Sequence, residues 1–335
     1  MRSRTRMWIT ALAGTVTLSA LALTVGVAPG AGGTAHAAAP SGVGTGIHRP
    51  HTISGSGYDL VGSDGGVFVF PTGNPLVGGF FGSLPQIGVT VTDIVGITPT
   101  NHYGGYDLVG SDGGVFVFPV GQSGGFYGSL PGMGITVHNI VGIVPTNNST
   151  GYDLVGSDGG VFTFPVGQSG GFFGSLPGQG IQVNDIVAIA ATPDDKGYWL
   201  LGRDGSVYPF GDAQFFGPNL VTCAGGIHYT CWRQYQGIAF VGIAPTTDGN
   251  GYWLVSADGQ VFNFGDAPSF GQLSAPPVNP IVSIVPTADG HGYWLVASDG
   301  GMFAFGDATF TGSLPGLGLH VHNVVGAVPT VWLQP

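Results

Sequence analysis

Three aspartates occupy matching positions inside predicted strands, where aspartate is uncommon. They directly follow a Gly-Tyr pair and are Asp59, Asp107 and Asp153. Three tryptophans take the same position in later copies of the motif: Trp199, Trp253 and Trp294. Carboxylates grouped at strand ends could bind a cation or a polyol, and two of them could serve a glycosidase. Exposed indole faces could stack on sugars or on a partner protein.

Each of these positions also has a purely structural interpretation. The aspartates can stand at exposed strand ends, and the tryptophans can pack between sheets. The chain contains no glutamate, so a catalytic acid–base pair would have to consist of two aspartates. Six further aspartates precede glycine in predicted hairpin turns, where aspartate is a common turn former. These are Asp64, Asp112, Asp158, Asp204, Asp258 and Asp299.

The pattern Gly-x-Ser-x-Gly occurs twice, around Ser123 and Ser169. In hydrolases this pattern places a nucleophilic serine on a sharp turn between a strand and a helix. Here it lies between two predicted strands at the same place in two copies, which favours a glycine-rich loop. The sequence shows no phosphate-binding loop, complete catalytic triad or metal-ligand cluster, so we expect no metal and no cofactor. A non-enzymatic function is therefore favoured.

Two cysteines, Cys223 and Cys231, lie in a segment that interrupts the repeat. In a secreted protein they are expected to form a disulfide. Two free thiols, or a metal site with His228, are the alternatives. The same segment carries Tyr229 and Trp232, and loops that depart from a rigid scaffold often bind ligands. We therefore predict a binding role for this segment.

The elements that must position all these residues are six copies of one motif. Its Gly-Tyr pair recurs every 41 to 54 residues, at Tyr58, Tyr106, Tyr152, Tyr198, Tyr252 and Tyr293. In the second copy, strands are predicted at 106–110, 115–118, 125–128 and 139–143, with a Ser-Asp-Gly-Gly turn after the first. Four short strands in a period of this length are typical of a β-propeller blade.

Tandem copies have a physical reason, because one small sheet cannot cover both of its own faces. We predict one all-β domain over residues 40–335, a β-propeller of six blades with four antiparallel strands each. Residues 324–327 could complete the first blade. Alternatively, residues 331–333 begin a partial seventh blade. A parallel β-helix is a weaker possibility, because its coils are usually shorter than this period.

The composition agrees with an all-β chain. Of the 335 residues, 64 are glycine and one is lysine, so charged helix formers are nearly absent. This excludes helical bundles and coiled coils, and a hydrophobic content of 43 % argues against a disordered chain. After residue 39, four basic residues remain against 18 aspartates. That balance excludes an electrostatic nucleic-acid binder and disfavours docking on anionic lipid.

The first 39 residues have the pattern of a secretory signal peptide. Arg2, Arg4 and Arg6 precede an apolar stretch, and residues 35–37 offer a small-x-small cleavage site. An uncleaved membrane anchor is the alternative, because the apolar run is about long enough to span a bilayer. The glycine- and alanine-rich continuation favours cleavage. We therefore predict a secreted protein, extracellular or at the cell surface, without a membrane anchor after cleavage.

The copy at Tyr293 carries a long characteristic run. Residues 292–301 read GYWLVASDGG, and residues 303–308 read FAFGDA. This run resembles a tandem repeat of secreted actinobacterial proteins, of the GYWLVASDGGVFAFGDA type, which is similar to β-propellers of the WD40 or YVTN type. The resemblance extends over nearly all of residues 43–335, although the first three copies lack the tryptophan and the Phe-Gly-Asp run. It implies an extracellular protein with a binding or display role.

These features predict a non-enzymatic β-propeller that binds a partner protein or a cell-envelope glycan. The cysteine segment and the tryptophans are the expected surface. Two other functions remain open. One is a hydrolase or lyase that cleaves extracellular polysaccharide with an aspartate pair. The other is a structural surface protein that assembles through the edges of its sheets.

Overall fold

A computed structural model describes residues 57–70, 80–100, 105–119, 125–146, 150–166, 171–217 and 237–329. The chain divides into the units Met1–His51 and Thr52–Pro335, and the described residues all belong to the second. The predicted signal peptide, residues 1–39, therefore lies outside them. In the described part, the only helical elements are short 3-10 turns, and no helix has the length and apolar character needed to cross a membrane.

The described residues form six antiparallel sheets of three strands each. In chain order the strands are β1 (Tyr58–Gly62), β2 (Val67–Phe70), β3 (Ile94–Thr100), β4 (Gly105–Gly110), β5 (Val115–Phe118), β6 (Ile140–Thr146), β7 (Gly151–Gly156), β8 (Val161–Phe164), β9 (Ile186–Ala191), β10 (Gly197–Gly202), β11 (Val207–Gly211), β12 (Phe240–Pro245), β13 (Gly251–Ser256), β14 (Val261–Gly265), β15 (Ile281–Pro286), β16 (Gly292–Ala297), β17 (Met302–Gly306) and β18 (Val324–Pro329). We number the sheets first to sixth by their middle strands, which are β1, β4, β7, β10, β13 and β16. The repeated all-β units predicted from the sequence are thus confirmed.

Each sheet is built in the same way. The middle strand carries the Gly-Tyr pair, is buried along its length, and forms a hairpin with the strand that follows it. In the second sheet, Asp112 Oδ1 accepts the N–H of Gly114 at 2.8 Å, which is the local turn bond expected of aspartate. The first sheet takes its third strand from far along the chain, because β18 pairs with β1 and places Pro329 opposite Tyr58. Residues 324–327 therefore complete the first sheet.

Consecutive sheets pack against one another through apolar side chains. The strands β3, β6, β9, β12, β15 and β18 each contact the next in that series, and β18 also contacts β3. Clusters of buried side chains lie between consecutive sheets, including one between the sixth and the first that contains Trp294 and Tyr58. We call each such interface a seam. Burial at the seams explains why the middle strands can be apolar on both faces.

The third of the four strands predicted for each unit, at 125–128 in the second copy, is not observed among the described residues. The tyrosine of the next sheet binds this segment instead. The Tyr152 hydroxyl donates to the Gly128 carbonyl and accepts the N–H of Tyr127 at 3.2 Å. Equivalent bonds join Tyr58 to Gly312, Tyr106 to Gly82, Tyr198 to Gly174 and Tyr293 to Gly271. A side-chain hydroxyl thus takes the place of a neighbouring strand, and the sheets have three strands rather than four.

Replacing Tyr152 by phenylalanine should lower the free energy of unfolding by about 1–3 kcal/mol. The ring stays in the seam, but the Gly128 carbonyl and the Tyr127 N–H lose the hydroxyl that serves both. Urea unfolding of the wild-type protein and of Tyr152→Phe measures the difference. Equal midpoints would mean that water replaces the hydroxyl at no cost, and would contradict this explanation of the missing strand.

Candidate functional site

The three aspartates singled out from the sequence are buried rather than exposed at strand ends. Asp59 and Asp107 are 3 % exposed and Asp153 is 1 % exposed. Asp107 lies between two neighbouring strands, opposite Thr98 on one side and Val117 on the other. The interpretation as exposed strand ends is therefore wrong. Each carboxyl belongs to a different sheet and is almost completely buried there.

Each buried aspartate lies near the tyrosine of the following sheet. The pairs are Asp59 with Tyr106, Asp107 with Tyr152, and Asp153 with Tyr198. Burial raises the pKa of these tyrosines above the ordinary range, and the negative charge of the paired aspartate raises it further. The seams of the first three sheets therefore each combine a carboxyl and a phenol.

Burial also changes the acidity of the aspartates themselves. It raises the pKa of Asp107 to about 8. The pKa of Asp153 rises to about 7, although the Thr163 hydroxyl donates to its Oδ1 at 2.5 Å and opposes the effect. Oδ1 of Asp107 accepts no hydrogen bond from the described residues. Asp107 is thus a carboxyl that holds its proton near neutral pH.

The three tryptophans are buried at the equivalent positions of the other three sheets. They pack edge-on or tilted against the tyrosine of the following sheet, with ring centroids 5.6 to 5.9 Å apart. The pairs are Trp199 with Tyr252, Trp253 with Tyr293, and Trp294 with Tyr58. Each Nε1–H donates to a backbone carbonyl fifteen residues further on, at 2.7 to 2.9 Å. The packing interpretation therefore agrees with the structure, and the indole faces are not available to stack on a sugar.

A cluster of polar side chains that sequence reasoning missed lies at a corner of each tryptophan-bearing sheet. In the sixth sheet the Thr287 hydroxyl lies 2.8 Å from Asp289 Oδ1 and 3.2 Å from Asp307 Oδ1. Nδ1 of His291 lies 3.2 Å from Asp289 Oδ2. The recurrence of Thr-x-Asp before Gly-Tyr-Trp, together with Phe-Gly-Asp after it, was the signal in the sequence.

The same corner differs between sheets in one residue. In the fourth sheet Lys196 Nζ lies 2.7 Å from Asp194, and in the fifth Asn250 Nδ2 lies 2.9 Å from Asp248. His291 takes this position in the sixth sheet. In each sheet this side chain thus places a nitrogen beside the equivalent aspartate carboxylate.

Asp289, His291 and Asp307 are the group of described residues that could hold a metal ion. Their candidate ligand atoms lie within 4.8 Å of one another, and all three residues are exposed. Partial burial raises the pKa of Asp307, and the bond and charge of Asp289 raise it further. Burial acts in the same direction on Asp289, but the Thr287 hydroxyl and the His291 N–H outweigh it and lower the pKa to about 2. These contacts within the corner account for the arrangement without an ion.

Exposed apolar side chains form a second repeated feature. Four phenylalanines take equivalent positions beside the segment bound by the tyrosine hydroxyl, and 48 to 57 % of each is exposed. They are Phe80, Phe126, Phe172 and Phe310, which belong to the first, second, third and sixth copies. Three of these copies add a further exposed apolar residue a few positions later: Ile87, Met133 and Leu317. We call the four phenylalanines the phenylalanine row.

Several predicted features lie outside the described residues. They include Cys223, Cys231, Tyr229 and Trp232 of the interrupting segment, Ser123 and Ser169, and residues 331–333. The disulfide, the binding role of that segment and the partial seventh blade therefore stay predictions.

Comparison with the sequences of known proteins gives no family for the chain. No protein-family profile matches it, and no curated protein is significantly similar to it. The function must therefore be argued from the residues and their geometry.

Proposed function

We propose that this chain is a secreted, non-enzymatic β-propeller of six blades that binds uncharged glycans of a cell envelope. A closed ring is supported by three contacts between the first and sixth copies. The strand β18 pairs with β1, the Tyr58 hydroxyl binds the Gly312 carbonyl, and Trp294 packs against Tyr58. Secretion is supported by the basic start and the apolar stretch of the first 39 residues.

The phenylalanine row is the observation that carries the binding role. Large apolar side chains in a β-sheet protein are normally buried in the core, yet these four are about half exposed at equivalent places in four of the six copies. A repeating polymer can contact a repeating row of rings with one sugar unit after another. The phenylalanines, rather than the buried tryptophans, are therefore the expected glycan-binding surface.

Charge favours an uncharged glycan as the ligand. The chain has 18 acidic residues and 7 basic ones, of which three lie in the predicted signal peptide. A polyanion would be repelled by this balance, and few guanidinium or ammonium groups are present to pair with phosphate or carboxylate. Hydrolysis is less well supported, because Asp59, Asp107 and Asp153 are buried in separate seams.

A triple variant tests the proposal: Phe80→Ser, Phe126→Ser and Phe172→Ser together. The fifth copy already has a serine at this position, Ser269, and that serine is exposed. We expect at least a tenfold loss of binding on an array of cell-envelope glycans, because each ring supplies apolar contact that serine lacks. Thermal unfolding of the variant should match the wild-type protein.

The matched control is Val278→Ser, which removes a fully exposed apolar side chain outside the row. It should bind like the wild-type protein. Equal binding by the triple variant would exclude the row as the glycan surface. Binding to protein components of the envelope, lost after their proteolysis and absent on purified glycans, would instead identify a protein partner.

A further inference from the structure

Two carboxyls are enclosed in seams without a cation to balance them. Asp107 and Asp153 are almost completely buried, and Oδ1 of Asp107 receives no hydrogen bond from the described residues. An ionised carboxylate in such a place is costly, because it has lost its hydration and gained no partner. A protonated carboxyl carries no charge and avoids most of this cost. The seams therefore favour the neutral form on geometric grounds alone.

Among the described residues, the groups that face Asp107 include no basic side chain. Its strand neighbours are Thr98 and Val117, and Tyr152 faces it across the seam. The Tyr152 hydroxyl is already engaged with Gly128. No lysine, arginine or histidine of the described residues contributes to the electrostatics of this carboxyl.

The surroundings of Asp153 are similar. Val144 and Thr163 lie opposite it on the flanking strands, and Tyr198 faces it across the seam. The Thr163 hydroxyl is its hydrogen-bond donor, and the charged group that acts on it is Asp195, which has the same sign. Ionisation of Asp153 would therefore add repulsion to the cost of burial.

The fourth, fifth and sixth copies have an uncharged side chain at this position. Trp199, Trp253 and Trp294 each contact the following tyrosine with an uncharged ring. We propose that the seams around Asp107 and Asp153 respond to pH. They are stable while both carboxyls keep their protons and are weakened when the carboxyls ionise. The seams that contain a tryptophan at this position have no carboxyl there, so we expect the response to pH only in the seams of the aspartate-bearing copies.

The direction of the response follows from the acidity of the folded and unfolded states. Burial raises the pKa of Asp107 to about 8 and that of Asp153 to about 7, whereas an unfolded aspartate titrates near 4. Between these values the folded protein holds more protons than the unfolded chain. The contribution of these two carboxyls to stability is therefore fully present below about pH 4 and is lost as the pH rises to about 8. Between its pKa in the unfolded chain and its pKa in the folded protein, each carboxyl raises the unfolding equilibrium constant by up to about tenfold per pH unit.

Urea unfolding of the full-length protein between pH 5 and pH 9 tests this proposal. The midpoint of the wild-type protein should fall as the pH rises to about 8 and then level off. Asp107→Asn and Asp153→Asn should each remove part of this fall, and the double variant should lose most of it. Asp158→Asn is the matched control, because it removes one exposed carboxylate from a hairpin turn. Its profile should keep the wild-type slope.

A second measurement needs no variant to fold. Carbon-13 NMR of the aspartate carboxyls in the wild-type protein should show two resonances that titrate above pH 6. A pH-independent wild-type midpoint would overturn the proposal. So would a slope that is undiminished in the double variant, or a set of carboxyls that all titrate below pH 5.

Discussion

Replacing Trp253 by alanine is expected to lower the free energy of unfolding by about 3–5 kcal/mol. The indole is buried in the seam between the fifth and sixth sheets, with its ring centroid 5.7 Å from that of Tyr293 and 6.0 Å from that of Phe270. Its Nε1–H donates to the Pro268 carbonyl at 2.7 Å. Alanine would leave a cavity between two sheets and a carbonyl without its donor, and both effects act in the same direction.

Two further variants give this experiment its controls. Phe310→Ala removes an aromatic ring that is 55 % exposed, and should change the unfolding free energy by no more than about 0.5 kcal/mol. Trp253→Phe keeps a ring in the seam but loses the donor, so it should fall between alanine and the wild-type protein. If Trp253→Ala were as mild as Phe310→Ala, the seams would not be the main source of stability.

Replacing Gly113 by alanine is expected to lower the free energy of unfolding by about 2–5 kcal/mol. This glycine lies in the hairpin turn after β4 with a φ of +75°, where a side chain is strained. A Cβ there would also lie 2.5 Å from Cδ1 of Leu130 and 2.9 Å from its Cβ. Leu130 is buried in the seam of the second and third sheets and has little room to move.

Gly134→Ala separates the two causes. Gly134 has almost the same φ, +73°, but its Cβ would meet no atom within 4 Å. It should lose only about 1–2 kcal/mol, the cost of the left-handed backbone. The difference between the two variants, measured by urea unfolding at one pH, is the cost of the collision with Leu130. Equal losses would mean that Leu130 shifts aside.

The repeat and its hairpins could be predicted because their causes are local. Asp112 and the glycine after it determine the turn through their own side chain and backbone, and this Asp-Gly pair recurs in every copy. The third strand of each unit, at 125–128 in the second copy, could not be predicted correctly in this way. Its segment is apolar and short like a strand, but its backbone binds Tyr152 of the next unit, which lies 24 residues away along the chain from Gly128.

The chemistry of the singled-out residues was harder to predict than their placement. The sequence aligned Asp107 with Trp253, and the structure places both beside the tyrosine of the following sheet. Their exposure could not be predicted, because the middle strands are covered on both faces and show no alternation of polar and apolar residues. The corner of Asp289 and Asp307 was missed because its two carboxylates lie in separate turns, one between β15 and β16 and the other directly after β17.

The pairing of β1 with β18 has a consequence for how the chain folds. Tyr58 is synthesised long before its partner, because its hydroxyl binds a carbonyl 254 residues further along. The hairpin of β1 and β2 must therefore wait, with one edge unpaired, until β18 has been made. Contacts of such long sequence separation form slowly, and open strand edges promote aggregation in the meantime. Completion of the first sheet is thus the natural last step of folding, and a chaperone that shields this hairpin would act at the point of greatest risk.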